Sequence, residues 1–451
     1  MIVKTLHTIL KHYPQAPLVI AYSGGVDSQV LLHAVATLKC ENHIKQKVMA
    51  IHVNHGLSAQ SSHWQNFAKQ QCQQLNIHFE TINVEVIDKP RTSLEAQARD
   101  KRYQALENLS PKNAVILTAH HQDDQVETFF LSLKRGSGLK GLSAMGAVSE
   151  FGNKSQLLLR PLLNISREDI VHYAQEHQLE WIEDESNSDT RFDRNFLRKD
   201  ILPELKVRWP NINQTIYRSV QHCQEAQQII DEVAEQDLTQ CLQASDVLAI
   251  PALMQLSQAR FNQAIRFFIQ QHKCLMPSQQ QLQQLYEQLS QAAEDKTPEV
   301  KLGNIWLRRF QDKLYITPEY QTLTEWQCDI EFEKNHQMIE LPDDLGKLTF
   351  NVKHEGNPEL VSSISLPKKV ESIRVAFAHK NPKCLPDYRQ HSRPLKKVLQ
   401  ELTIPPWQRK RLPLLFINNE LAAVIGHFVC QPFMADKHQN KIIVHWLKES
   451  G

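Results

Sequence analysis

The sequence predicts an α/β protein in three parts: an N-terminal parallel sheet covered by helices, a mainly helical middle domain, and a small mixed α+β C-terminal domain. Three observations support that division. Up to about residue 135, short apolar stretches alternate with stretches of helical length. From Pro210 to about residue 292, glutamines are interspersed with Ile, Leu, Phe and Ala at a helical period. Beyond Pro298 the pattern turns to strands, in VKLGNIWLRRF, KLYIT, ELAAVIGHFV and KIIVHWL. With 451 residues and 41% hydrophobic content the chain can bury several cores. The expected domains are residues 1–210, 211–320 and 321–451, with Pro203 and Pro210 closing the first and a Pro- and Ser-rich stretch, 356–367, separating a connecting segment from the basic terminal part of the last.

Taken in order, the amphipathic MIVKTLHTILKHYPQ reads as a first helix and lacks a signal-peptide cleavage pattern. LVIAYS is followed by a helix from Ser28, VMAIHVN by one from Ser58, IHFETINV by one from Thr92, and AVILTA by one from Asp123. Such alternation gives a Rossmann-like parallel sheet with helices on both faces. Ligands bind these sheets at the carboxyl ends of the strands, where Ser23, His52 to His55 and Ala119 to Asp124 all fall. Three motifs distant in sequence are therefore expected to meet over one edge. The glycines at 136, 138, 141, 146 and 152 mark residues 136–165 as a mobile loop or lid, and a helix is expected from Ser166.

Composition narrows the class. No apolar run approaches the roughly 20 residues that span a bilayer, and the eight cysteines are scattered without a C-x-x-C pair. That pattern speaks against a zinc ribbon, an iron–sulfur cluster or a disulfide scaffold, and a cytoplasmic protein is expected. A net charge of +1 conceals a local excess: twelve Lys/Arg against three acids lie between Pro367 and Arg411. Such a surface suits a phosphate backbone, and it equally suits a solvated lysine-rich face.

The chemistry is concentrated in five stretches. In SGGVDS, residues 23–28, Gly24 and Gly25 allow backbone N–H groups to converge at a helix start, as phosphate-binding turns do. The lysine of the usual nucleoside-triphosphatase loop is missing and an aspartate is present. A carboxylate facing bare phosphate would repel it, so Asp27 either holds Mg2+ or caps the helix. In HVNHGLS, Asn54 and His55 either contact adenine or ribose or cap the next helix. In TAHHQDDQVETFF, Asp124 and Glu127 are three apart on one helical face with His120 just before it, a set able to bind metal, move protons or hold a cation. LSLKRGSGLKGLSAMG offers Lys134 and Arg135, followed by glycines, as cover for polyphosphate or an incoming nucleotide. In WIEDESNSDTRFDRNFLRKDILP, Asn187 and Asp189 precede Arg191, Arg194 and Arg198, whose spacing aligns the arginines along one side of a helix.

SGGVDS resembles the PP-loop of the N-type ATP pyrophosphatases, which cleave ATP between the α and β phosphates and adenylate a substrate. Together with HVNHGLS, TAHHQDDQVET, LKRGSGLKGLSAM, RPLL and SNSDTRFDRNFLR, in that order, and with RPLKKVLQELTIPPWQRKRLPLLFINNELAAVIG at 393–426, the chain resembles the tRNA(Ile)-lysidine synthetase family at both ends. The resemblance implies a PP-loop ATPase domain followed by tRNA-binding domains. It also implies ligation of free L-lysine to C2 of the wobble cytidine of the CAU-anticodon isoleucine tRNA, through an adenylated cytidine. By position, Ser23, Gly24, Gly25, Val26, Asp27 and Ser28 would bind ATP, with Asp27 toward Mg2+. Asp124 and Glu127 would hold the lysine ammonium with His120 in support, and Arg194 and Arg198 would contact the activated base or its phosphate. Arg393, Lys396, Lys397, Arg409, Lys410 and Arg411 would grip the tRNA backbone, and Trp407, after two prolines, reads as packing ahead of base stacking. The family's second motif often reads D-H-G, whereas this chain has Asn54 before His55 and Gly56, so an acid at 54 is not required. The rivals are a tRNA 2-thiocytidine synthetase, which should need paired cysteines; an amide-forming ligase, which would leave the basic tail without purpose; and a tRNA-binding protein with an inactive loop. The oligomeric state is not set by the sequence, and a homodimer is carried as an expectation.

Overall fold

The structure is a computed structural model that describes residues 1–54, 56, 60–84, 94–152, 155–183, 185, 189–291, 298–331, 337–350, 360–434 and 441–448. The chain divides into two compact units, residues 1–233 and 234–451.

The first unit opens with α1 (Ile2–Leu10), which buries Ile2, Leu6 and Leu10, the i, i+4, i+8 stripe of an amphipathic helix. Then β1 (Leu18–Ala21), α2 (Val26–Cys40), β2 (Val48–Asn54), α3 (Ser61–Gln74), β3 (His78–Asn83), α4 (Leu94–Leu109), β4 (Val115–Leu117) and α5 (Gln122–Lys134) follow in the expected alternation. β1 pairs in parallel with both β2 and β4, and β2 with β3. Val19, Ile51, Ile116 and Leu106 form a core on one face of this sheet, and Leu18, Ile20, Val30 and Leu31 belong to the core on the other. β1 and β4 are apolar on both sides because both sides are covered, whereas the edge strand β3, HFETIN, is largely polar.

The glycine-bearing segment is a correction. Residues 136–165 form no lid: after the short α6 (Leu139–Leu142), β5 (Val148–Phe151) and β6 (Gln156–Leu159) extend the sheet to the order β3-β2-β1-β4-β6-β5, with β6 parallel to β4. The buried amide of Gln125 clamps Met145 from both sides, donating to its carbonyl at 2.7 Å and accepting from its N–H at 2.8 Å. α7 (Arg167–Glu176) starts where expected, capped by Ser166, whose hydroxyl accepts from Asp169 N. α8 (Asp193–Phe196) leads through one π-helical turn, Leu197–Ile201, into α9 (Leu202–Arg208). α10 (Ile212–Cys241) carries the division between the two units.

In the second unit the helices Gln258–Gln271 and Gln279–Gln291 bury Phe261, Ile265, Phe268, Leu282 and Leu285 against a five-stranded antiparallel sheet. That sheet runs in the order Leu242–Ala244, Val247–Ala249, Lys313–Pro318, Ile305–Phe310, Glu299–Leu302. Its first two strands were too short to read in the sequence. The remaining chain forms antiparallel sheets of five and four strands sharing one core, in which Val375, Leu415, Ala423, Val444 and Trp446 are buried. Trp407 is buried, edge-on to Tyr315 at 5.3 Å, so it packs as expected. The Arg308 guanidinium lies 5.3, 5.4 and 5.5 Å from the ring centres of Trp306, Tyr320 and Trp407. Arg411 is not on the surface that the charge count suggested: it faces inward, paired with Asp343 and 4.0 Å from the Tyr320 ring. Among the described residues, no helix is long and apolar enough to cross a membrane.

Candidate active site

The turn after β1 is built around Ser28. Its hydroxyl accepts from the backbone N–H of Ser23 at 3.3 Å and of Gly24 at 3.1 Å, donates to Gly25 O at 3.0 Å, and meets Ser23 Oγ at 3.0 Å. Consecutive amides are thus aimed at one point, at the N-terminus of a 15-residue helix capped by Gly25 and carrying Val26 and Asp27 in its first turn. The helix N-terminus at this turn favours an anionic oxygen. Gly24 has a φ of +88°, and a Cβ there would lie 2.9 Å from Ile182 Cδ1. Ile182 also donates its N–H to Gly24 O at 2.9 Å, so residues 181–183 brace the turn from outside. Gly24→Ala is therefore expected to cost about 1–3 kcal/mol of backbone strain and to raise the KM for ATP by about tenfold. An unchanged KM in steady-state assays would show that the turn does not hold the nucleotide.

Beneath the turn, Tyr22 donates to Gln29 Oε1, and Gln29 donates to Gln71 Oε1 at 2.8 Å. At the end of β2, Asn54 is engaged in a local turn, Oδ1 accepting from Gly56 N at 2.9 Å. His55 lies outside the described residues.

The acidic end of α5 faces this turn. The helix begins at Gln122, one residue before the expected start, so His121 rather than Asp123 is the N-cap residue. His121 is 1% exposed, with Nε2 3.7 Å from Asp27 Oδ1 and 3.5 Å from Asp124 Oδ2. One imidazole thus stands between the aspartate of the first helix and that of the fifth. Arg167 Nη1 approaches Asp27 Oδ2 at 3.5 Å from the start of α7. Asp123 is turned away as a structural tie: it accepts from Arg167 N at 3.0 Å, Asn213 Nδ2 at 2.6 Å and Lys206 Nζ at 3.2 Å.

Two arginines close the constellation. Arg198 makes a bidentate pair with Glu127, Nε to Oε1 at 2.7 Å and Nη2 to Oε2 at 3.0 Å, and its Nη2 reaches Asp124 Oδ1 at 3.4 Å. Arg194 Nε lies 3.2 Å from Glu127 Oε2, and its Nη2 donates to Thr128 Oγ1 at 3.2 Å. The π-helical turn that carries Arg198 is a feature common at functional sites. Arg191 does not join the stripe: it precedes α8, is exposed, and pairs with the partly buried Asp189 at 2.7 Å. Asn187 lies outside the described residues.

The two carboxyls respond to this setting in opposite ways. Burial pushes Glu127 up and prevails over the guanidiniums of Arg198 and Arg194. Burial also opposes ionisation of Asp124, but His121, His120 and the His121 amide, which donates to it at 3.0 Å, hold it low. Burial brings His120 down to about 4 despite Asp124, so near neutral pH it is an uncharged imidazole, in contact with Thr118 Oγ1 at 2.9 Å.

Lys134 and Arg135 sit at the far end of α5, two turns from Glu127; Lys134 pairs with Asp193 at 2.7 Å in solvent, and Arg135 is exposed. In the second unit, Lys396 and Lys397 are exposed on the helix Leu395–Glu401, whereas Arg393 is paired with Glu401 at 2.8 Å and Arg409 donates to Ile404 O at 2.7 Å. His121 and Arg167 were missed by sequence reasoning. The doubled histidine signalled the first; nothing local signalled the second.

The fit to Mg2+ rests on Asp27. Its Oδ1 is buried and has no hydrogen-bond partner, an oxygen left for a cation. Among the described residues, no group of three or more His, Cys, Asp or Glu is arranged to hold a metal by itself. Mg2+ suits such a site, because it is commonly bound by one or two carboxylates plus substrate phosphates.

Three family descriptions match the chain: "PP-loop domain" over residues 1–205, "TilS substrate binding domain" over 248–315, and "TilS substrate C-terminal domain" over 373–446. A tRNA(Ile)-lysidine synthase of Edwardsiella ictaluri is 39% identical over 434 residues, covering 96% of this chain and 95% of the relative. One from Serratia proteamaculans is 40% identical over 436 residues, covering 96% of each. Among solved structures, a U34-tRNA thiolase from Methanococcus maripaludis with its 4Fe-4S cluster is similar at 18% identity and a TM-score of 0.42, covering 50% of this chain and 78% of that one.

Proposed function

Because the chain belongs to the tRNA(Ile)-lysidine synthase family, we propose that it is a cytoplasmic ligase joining L-lysine to C2 of the wobble cytidine, position 34, of the CAU-anticodon isoleucine tRNA. ATP supplies the activation, and AMP and pyrophosphate are released. The observation that carries this reading is the placement of His121 between Asp27 and Asp124, which brings the phosphate-binding turn and the carboxylate end of α5 to within one side chain of each other. A nucleotide held by the one is in reach of an amine held by the other.

Two displacements are needed. The O2 oxygen of cytidine attacks the α-phosphorus of ATP, the α–β bridge breaks, and pyrophosphate departs. The lysine ε-amine then attacks C2, its proton is lost, and AMP leaves with O2. Mg2+, held by Asp27, would neutralise charge on the departing pyrophosphate. The positive end of α2, where the turn lies, attracts the same group. Asp124 and Glu127 hold the lysine ammonium in charge-assisted contact. Glu127, whose carboxyl is raised by burial, is the better placed of the two to take its proton. Arg194 and Arg198 stabilise charge at the activated base. Asn54, with His55, contributes at the nucleotide end, and Lys134 and Arg135 meet the incoming RNA.

The test is direct: purified protein, ATP, Mg2+, radiolabelled lysine and bulk tRNA, with label in tRNA as the readout. ATP-dependent incorporation is expected; no transfer, or transfer of sulfur instead, would overturn the reading. Asp124→Asn is expected to raise the lysine requirement about tenfold while the ATP requirement changes little, and an equal effect on both kinetic parameters would count against the amine role. In the second unit, Lys396 and Lys397 have no ion-pair partner among the described residues and face solvent. Reversing both to Glu is expected to weaken tRNA binding by about ten- to a hundredfold at low salt and to flatten its salt dependence. Filter binding across a salt series reads this, with unchanged affinity as the refuting result.

A further inference from the structure

The four carboxylate oxygens that would receive lysine are already occupied. Glu127 Oε1 has Arg198 Nε at 2.7 Å, and Oε2 has Arg198 Nη2 at 3.0 Å and Arg194 Nε at 3.2 Å. Asp124 Oδ1 has Arg198 Nη2 at 3.4 Å, and Oδ2 has the His121 amide at 3.0 Å. An ammonium entering this set meets the two guanidiniums already on Glu127, and like-charge repulsion disfavours it while both stay.

We propose that Arg198 is the resting occupant of the amine site, a positioning residue whose guanidinium keeps lysine out until the adenylated cytidine forms and draws it away. This rests on the reading of the chain as a lysidine-forming ligase. A buried carboxylate stripped of its partner is costly, so the site passes from one cation to another without standing bare. A planar guanidinium paired through two bonds outcompetes a point-charge ammonium for one carboxylate. Free lysine therefore does not displace it unaided.

Arg198 is also the partner free to leave. Its side chain is 28% exposed, whereas that of Glu127 is 1% exposed. It sits in the π-helical turn Leu197–Ile201, where the backbone departs from α-helical hydrogen bonding and has a second regular arrangement close at hand. The phosphate of the adenylated base supplies a competing anion to which the same bidentate geometry fits. Arg194 stays behind, tied to Thr128. The consequence is an obligatory order, adenylation first and lysine second, which keeps a nucleophilic amine out of the site while ATP is the only electrophile.

The experiment is equilibrium dialysis of radiolabelled lysine against the free full-length protein, for wild type, Arg198→Ala, Arg198→Gln and Arg198→Lys, beside the KM for lysine in the complete reaction. Wild type is expected to bind lysine at least about tenfold more weakly alone than its KM indicates, and the neutral variants to recover about that factor. Arg198→Lys, which keeps a cation but loses the two-bond pairing, should bind lysine with an affinity between wild type and the neutral variants. A merely structural arginine would have the opposite signature, its removal loosening α5 and weakening lysine binding. Should Arg198→Ala fail to fold by calorimetry, Arg198→Gln keeps the side-chain bulk and gives the same readout. Wild-type binding at its KM, or no gain in the folded neutral variants, overturns the proposal alone. Failure of the wild type to transfer lysine to tRNA overturns the ligase reading and this proposal with it.

Discussion

Asp27→Asn is expected to slow the ATP-dependent step by about 10²–10³-fold with the fold intact. The substitution keeps the shape of the side chain and removes its charge. The oxygen affected is Oδ1, which is buried and has no hydrogen-bond partner among the described residues. The neighbouring Oδ2 is met only by Arg167 at 3.5 Å, too long to anchor the carboxylate strongly. Little stability depends on it, so its loss should appear in chemistry first. Exchange of labelled pyrophosphate into ATP, dependent on tRNA and run without lysine, isolates that step. A loss of less than tenfold would take Asp27 out of the metal-binding role.

Glu127→Ala is expected to have the largest effect on both stability and activity. It removes a carboxylate that is 0% exposed, takes from Arg194 its ion-pair partner, and leaves Arg198 with the longer 3.4 Å contact to Asp124 in a part-buried setting. Breaking a buried pair by deleting one member costs about 3–5 kcal/mol. For a unit of this size that is about 10 °C in Tm by calorimetry, and lysine transfer should fall below detection. Glu127→Gln keeps an acceptor for Arg198 and separates the two effects: Tm should fall by less than half as much while lysine transfer is still lost. Retained transfer in the glutamine variant would mean that the charge at 127 serves the fold alone.

Much of this site was legible because it lies in local strings. SGGVDS sits at the strand-to-helix turn where the alternation placed it, and Asp124 and Glu127 share a helical face as their spacing requires. The start of α5 was placed one residue late and His120 was named as the converging ring; both histidines precede an acidic turn, and only packing shows that His121 lies between Asp27 and Asp124. Arg167 reaches Asp27 from 140 residues away, a pairing that no local pattern encodes. β5 and β6 were read as a lid because their flanking glycines are dense and each strand has only four residues. A short apolar run of that length looks alike in a loop and in a sheet interior. Counting charges placed Arg411 on a surface, but the count cannot see that Asp343 and Tyr320 turn it inward.

The rings around Arg308 bear on how the protein can be dissected. Trp407 belongs to the last domain by sequence, yet it closes over Arg308 and Tyr315 of the preceding sheet. A chain ended at Tyr320 would uncover a guanidinium and a patch of indole and phenol together, and such a fragment should self-associate. The clean cut for expressing the terminal module alone lies upstream of that sheet, so the two travel as one piece.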